Sequence, residues 1–229
     1  MDAQNQFKFS PWTLAVPLYF VLALWVVYWF EVRNGYNFNT YGILPRHLVG
    51  LRGIVFSPFI HGDIKHLYHN SAPLFVLLFS LLYFYRSIAW KVFIYGTLCT
   101  GLMTWLIARK SYHIGASGII YLLFSFIFFS GIIRKNYRLV AVSLMVIFLY
   151  GSMVWYVLPV KESVSWEGHL SGFISGLVMA FIYRDTGPQK FQYEWEKEDY
   201  ETDEFDTLVE ERNGLDTDLN PKQDDWSGF

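Results

Sequence analysis

The chain has 229 residues, of which 53% are hydrophobic and only 17% are charged, with 21 Phe, 16 Tyr and 9 Trp. Soluble domains carry about 25% charged residues, so this composition argues against a soluble protein and favours a membrane protein. Residues 1–184 carry 14 basic and 5 acidic residues, whereas residues 185–229 carry 4 basic and 15 acidic residues. The sequence contains no basic patch of the kind that binds nucleic acids, and it contains no phosphate-binding glycine loop. The charge split predicts a short N-terminus (1–11), an apolar core (12–184) and a solvated, disordered acidic tail (185–229).

Six apolar runs are each long enough to cross a bilayer, which takes about 20 residues. They lie at residues 12–31, 66–85, 89–108, 114–133, 139–158 and 167–184. Asp and Glu are absent between Asp63 and Glu162, as the cost of carboxylates in hydrocarbon requires. The pattern therefore predicts an all-α membrane protein with six spans.

The orientation of these spans follows from the distribution of Lys and Arg. With the N-terminus inside, the inner segments hold eight basic residues and the outer segments hold seven. Four of the outer seven lie in the segment 32–65, which is too long and too aromatic for a plain loop. We expect that segment to fold on or into the membrane surface. Without it the count is eight to three, which favours cytoplasmic termini.

Polar residues cluster at the starts of the second, fourth and sixth spans, in the stretches HGDIKHLYHN, GASGIIY and WEGHLSGFISG. Even-numbered spans all run in the same direction, so their starts share one face of the membrane and a similar depth. This places His66, Asn70, Ser117 and His169 at one level. With the N-terminus inside, that level is near the outer surface.

The sixth span carries its histidine on a face of small residues. His169, Gly172 and Gly176 are at i, i+3 and i+7, so they lie on one side of a helix. The glycines remove side chains from that side, and a neighbouring helix can then approach closely. If the neighbour is the fourth span, whose Gly118 is also bare, the imidazole comes towards the Ser117 hydroxyl.

A serine and a histidine brought together in this way can act as nucleophile and base. The hydroxyl of Ser117 is a weak nucleophile until a base accepts its proton, and His169 is a suitable base. Spans two to five offer no buried carboxylate for a triad, and Glu167 points about 200° away from His169 around a helix. The pattern thus favours a dyad, with Tyr121 packed against the imidazole.

Donors for an oxyanion are present at the same level. His66 and Asn70 supply side-chain donors, and Ser117 supplies a backbone N–H at the top of a helix. Other interpretations stay open: Ser117 as a packing residue, His61, His66 and His69 as metal ligands, or a histidine proton relay in a transporter. The last two are disfavoured because carboxylates are missing from spans two to five, and no HExxH motif is present.

The combined pattern resembles the rhomboid family of intramembrane serine proteases over roughly residues 45–184. The motifs that match, in the order of the family, are His61, His66 and Asn70, then Gly115, Ser117, Gly118 and Tyr121, then His169, Gly172 and Gly176. One feature departs from the family. Many members carry Trp-Arg in the first loop, whereas Arg52 here has no adjacent Trp.

The resemblance implies a six-transmembrane-helix bundle with a membrane-associated first loop and a polar C-terminal tail. It implies Ser117 as nucleophile, His169 as general base, and His66, Asn70 and the Ser117 backbone as oxyanion donors. His61 is expected to be structural or to line a wet cavity. The remaining motif residues, Gly115, Gly118, Tyr121, Gly172 and Gly176, are expected to support the site. His69 and His113 have no role in the motif.

The expected activity is that of a serine endopeptidase that cleaves transmembrane segments of membrane protein substrates, with no metal or cofactor. A catalytically silent rhomboid-like protein that binds membrane-protein helices is the alternative, although the presence of both Ser117 and His169 argues against it. The expected location is a bacterial inner membrane, multi-pass, with cytoplasmic termini and the active site towards the outer face.

Overall fold

The computed structural model describes residues 9–159 and 165–189. Most of the predicted N-terminus (1–11) and of the predicted acidic tail (185–229) lies outside these residues, as does part of the segment before the sixth predicted span. The helices of the described part are α1 (Pro11–Asn34), α2 (Gly53–Phe56), α3 (Ile64–Phe84), α4 (Ala89–Ile107), α5 (Ser117–Ile133), α6 (Tyr137–Tyr150) and α7 (Trp166–Ile182).

Three of these helices, α1, α3 and α4, are long and apolar enough to cross a membrane, with 24, 21 and 19 residues. The part of the chain that the structure describes is therefore all-α, with apolar helices of the kind that cross a membrane. The helices α5, α6 and α7 are shorter, with 17, 14 and 17 residues. The fifth predicted span differs most from the structure, because α6 ends at Tyr150 and the chain tightens into 3₁₀ turns over Gly151–Val157. Glycine at the end of α6 weakens continuation of the α-helix.

The central helix of the bundle is α5, which is apolar on every side, SGIIYLLFSFIFFSGII. A helix that is hydrophobic all round is typical of one enclosed by other helices. Its neighbours include α3, α4, α6 and α7, and its most extensive packing is against α7. This enclosure places Ser117, the first residue of α5, inside the bundle at one end.

The backbones of α5 and α7 are in direct contact. A Cβ added at Gly172 would lie under 3.0 Å from the carbonyl oxygen of Gly118, and one at Gly176 under 3.0 Å from that of Leu122. Only glycine permits an approach this close. The structure thus contains the approach that the sequence predicted between the fourth and sixth spans.

The other end of this helix pair is held by Arg134, which is buried at the C-terminal end of α5. Its guanidinium donates to the hydroxyl of Ser130 at 2.8 Å, to the carbonyl of Pro188 at 2.9 Å and to the carbonyl of Tyr183. A cation at a helix C-terminus also interacts favourably with the helix dipole. The segment that follows α7 is therefore fixed to the end of α5.

The first loop, residues 35–63 between α1 and α3, is folded rather than extended. Its Ile43 forms an antiparallel bridge with His113, which precedes α5. The guanidinium of Arg52 donates to the carbonyl of Thr40 at 3.0 Å and lies 4.3 Å from the ring centroid of Tyr41. A tyrosine thus provides the aromatic contact for Arg52, in a chain that has no adjacent tryptophan.

Candidate active site

The serine that starts α5 is held by an unusual backbone turn. Gly115 has φ +102°, a conformation that side chains disfavour, and it turns the chain into the helix. Because Ser117 is the first residue of α5, its backbone N–H has no acceptor within the helix. The Oγ of Ser117 lies 2.9 Å from Nε2 of His169.

The second ring nitrogen of His169 determines which tautomer faces the serine. Nδ1 lies 2.9 Å from the carbonyl oxygen of Tyr156. Because a carbonyl only accepts hydrogen bonds, Nδ1 carries the proton, and Nε2 is left as the acceptor for the Ser117 hydroxyl. The Tyr121 ring stacks on the imidazole, with centroids 4.2 Å apart and planes at 17°.

The only acidic side chain next to His169 in sequence is directed elsewhere. Glu167 is buried, with Oε1 3.6 Å from Nε of Arg109 and 3.3 Å from the Arg109 backbone N–H. Both imidazole nitrogens are occupied by Ser117 and Tyr156. A backbone carbonyl thus stands where a triad has a carboxylate. No sequence signal could have located this acceptor, because every residue has a carbonyl.

Two side-chain nitrogens of α3 converge on the turn before Ser117. A Cβ added at Gly115 would lie 2.8 Å from Nε2 of His66 and 3.6 Å from Nδ2 of Asn70. The bare glycine therefore lets both groups approach the peptide that leads to the serine. The helix start is fixed by Asp63, whose carboxylate accepts the His66 backbone N–H at 2.9 Å. This hydrogen bond lowers the pKa of Asp63.

His61 lies behind Asn70 and orients it. Its Nε2 is 3.0 Å from the Asn70 amide nitrogen, so the amide donates and the imidazole accepts. The ring centroids of His61 and His66 are 5.0 Å apart. His69 is exposed instead, and its ring contacts that of Tyr68. Burial lowers the pKa of His61 to about 4, which keeps the ring neutral and able to accept.

We expect His61 to make the folded protein less stable in acid. Its pKa in the folded state is about 4, below the usual value of about 6.5. Between these two pKa values the unfolded chain binds more protons than the folded protein. The free energy of unfolding therefore rises with pH, and acidification through this range lowers it by on the order of 3 kcal/mol. The measurement is denaturant unfolding in detergent micelles across this pH range.

The substitution that isolates this effect is His61→Gln, which keeps an acceptor for Asn70 but does not titrate. It should reduce the pH dependence of the free energy of unfolding, whereas His47→Gln, at an exposed position, should leave the dependence as in the wild type. An unchanged slope in His61→Gln would assign the acid sensitivity to other groups.

A small cavity with both polar and apolar walls adjoins Ser117. Its walls include Thr100 and Thr104 of α4, Ser57 of the first loop, and His113. Among the described residues, the buried hydroxyl of Thr100 has no hydrogen-bond partner. Buried hydroxyls are usually paired with protein groups or water, so this wall is suited to holding water beside the serine.

Comparison with known proteins places the chain in a family. A family model described as Rhomboid domain matches residues 48–186. The uncharacterized protein Rv1337 of Mycobacterium tuberculosis is 36% identical over an alignment of 176 residues, which covers 72% of this chain and 72% of that protein. An uncharacterized protein of Mycobacterium leprae is 32% identical over an alignment of 179 residues, which covers 72% of this chain and 69% of that protein. The resemblance inferred from the motifs is confirmed, and the chain belongs to the rhomboid family.

Proposed function

We propose that this protein is an intramembrane serine endopeptidase that acts through Ser117 and His169. The observation that carries the proposal is the 2.9 Å contact between Ser117 Oγ and His169 Nε2, with Nδ1–H engaged by a carbonyl. A neutral imidazole in this tautomer can accept only at Nε2, which is the nitrogen that faces the hydroxyl. Membership of the rhomboid family and the apolar helices support the same activity.

In the first half of the reaction, Nε2 of His169 takes the hydroxyl proton while Ser117 Oγ attacks the carbonyl carbon of the scissile peptide. The bond from Nδ1–H to the Tyr156 carbonyl favours the cationic ring that forms. The carbonyl oxygen of the substrate becomes an oxyanion, for which the Ser117 N–H and the side chains of His66 and Asn70 are the donors.

In the second half, the tetrahedral intermediate collapses and His169 gives its proton to the leaving amine, which leaves an acyl-enzyme on Ser117. Water then attacks the ester carbonyl, and His169 accepts a proton from that water. His169 returns the proton to Ser117 Oγ as the acyl–Oγ bond breaks, which frees the carboxyl product and restores the hydroxyl. The cavity walled by Thr100 and Thr104 would supply the water from inside the bundle. The two products are the carboxyl and amino fragments of the substrate.

We further propose six membrane spans, formed by α1 and α3 to α7, with both termini in the cytoplasm of a bacterial cell. In this arrangement the active site is near the outer face of the inner membrane. Exposed apolar residues of the first loop, Leu48, Val49, Val55 and Phe56, fit a position at the membrane surface. The substrates would be single-pass membrane proteins with an unstable helix and a small residue before the cleaved bond.

The test is covalent labelling of the detergent-solubilised protein by a fluorophosphonate, which reacts with activated serine nucleophiles. We expect the wild type and Ser125→Ala, a change at a buried serine in the middle of α5, to be labelled. Ser117→Ala and His169→Ala should not be labelled. Labelling of Ser117→Ala at the wild-type level would overturn the assignment, and an unlabelled wild type would favour a silent helix-binding protein.

A further inference from the structure

One histidine outside the family motif is buried close to the site. His113 is 5% exposed and lies in the segment between α4 and α5. Its Nδ1 is 2.6 Å from the hydroxyl of Ser165, the residue before α7. Nothing in the catalytic steps uses either residue, although both line the cavity beside Ser117.

The hydrogen bond between His113 and Ser165 has the same sequence separation as the dyad, with the two residue types exchanged. His113 is four residues before Ser117, and Ser165 is four residues before His169. Both bonds therefore join residues 52 apart in sequence. We call His113 and Ser165 the outer pair. They lie just before the starts of α5 and α7, so their hydrogen bond joins the two segments that lead into the helices of the dyad.

The protonation pattern of the outer pair is fixed. Nε2 of His113 lies 3.0 Å from the Arg109 backbone carbonyl, so Nε2 carries the proton and Nδ1 accepts from the Ser165 hydroxyl. Burial lowers the pKa of His113, which favours this neutral form. The bond thus has one direction, from Ser165 on the α7 side to His113 on the α5 side.

The backbone of His113 is itself anchored to the first loop. Its N–H and C=O exchange two bonds with Ile43, each 2.9 Å long. The start of α7 is also tied to the end of α4, because Nε of Arg109, just after α4, lies 3.6 Å from the carboxylate of Glu167. The backbone of His113 is therefore fixed to the first loop, and its imidazole holds Ser165.

We propose that His113 and Ser165 are positioning residues that set the separation between Ser117 Oγ and His169 Nε2. The proposal rests on the proposed function of that dyad. Loss of the outer bond frees the start of α7 to move relative to α5, and the movement is passed one helical turn along to His169. Displacement of a catalytic group by 1 Å lowers turnover by about 10²-fold.

The proposal is tested by kinetics of the full-length protein in detergent, with active sites counted by fluorophosphonate titration. We expect Ser165→Ala and His113→Leu each to lower kcat per active site by about 10- to 100-fold with KM unchanged. The double variant should be no worse than either single variant, because one bond is removed in all three. Ser165→Thr, which keeps the hydroxyl, should restore most of the rate.

A matched control is Ser171→Ala, since the Ser171 hydroxyl donates at 2.7 Å to the Glu167 carbonyl of its own helix. It should retain kcat per active site within twofold of wild type. A purely structural role of the outer pair would reduce the number of titratable sites but leave kcat per site unchanged, and that result would overturn the proposal. So would a double variant whose loss equals the product of the single losses. A wild type that is not labelled at all would instead overturn the proposed function.

Discussion

Replacement of Ser117 by Ala is expected to lower the cleavage of a single-pass membrane substrate by at least about 10⁴-fold. Without Oγ there is no nucleophile, and the imidazole 2.9 Å away has no proton to accept. His169→Ala should cause a loss of similar size, because the hydroxyl is then without a base. The measurement is the initial rate of cleavage in proteoliposomes, with a substrate that carries a helix-destabilising segment and a small residue.

The two residues should behave as one unit, and this gives the experiment its sharpest form. Once either Ser117 or His169 is missing, removal of the other takes away nothing more, so the double variant should match the single variants. Ser125→Ala serves as the control because its hydroxyl bonds the carbonyl of Phe173 at 2.7 Å, within the interface of α5 and α7. A double variant that loses the product of both effects would show that the residues act independently.

The approach of Ser117 to His169 follows from features that the sequence displays. Parity of the spans places Ser117 and His169 on the same side, and the helical period places Gly172 on the face of His169. The structure contains that arrangement as a contact between α5 and α7. These features follow from periodicity and direction alone, which is why a single sequence carries them.

Other features depend on backbone geometry that leaves no mark on residue type. The carbonyl of Tyr156 is positioned by 3₁₀ turns over Gly151–Val157, where an uninterrupted helix to residue 158 was predicted from hydropathy. An apolar run sets where the chain can be buried, but it does not distinguish α from 3₁₀ turns. The outer pair did have a signal, since His113 and Ser165 each stand four residues before a dyad residue, just before the starts of α5 and α7.

Gly172→Ala is expected to lower turnover by about 10²-fold or more, although it adds a single methyl group. The new Cβ would lie under 3.0 Å from the carbonyl oxygen of Gly118, a backbone atom that cannot rotate away. Either α7 moves outward and takes His169 with it, or Gly118 moves and displaces Ser117, its neighbour in the chain. Overpacking of this kind also destabilises the fold by about 1–3 kcal/mol.

The measurement is kcat per titrated active site, together with thermal unfolding in the same detergent, so that lost catalysis is separated from lost protein. Gly62→Ala is the matched control, because a Cβ there meets only the Ile114 side chain at 3.8 Å, an ordinary contact. Wild-type turnover in Gly172→Ala would mean that α5 and α7 tolerate a wider separation than the dyad requires. Gly176→Ala tests whether the loss of turnover falls with distance from the dyad. Its new Cβ would meet the Leu122 carbonyl, one turn further from the dyad. The loss of turnover should therefore be smaller than in Gly172→Ala, and the loss of stability should be similar.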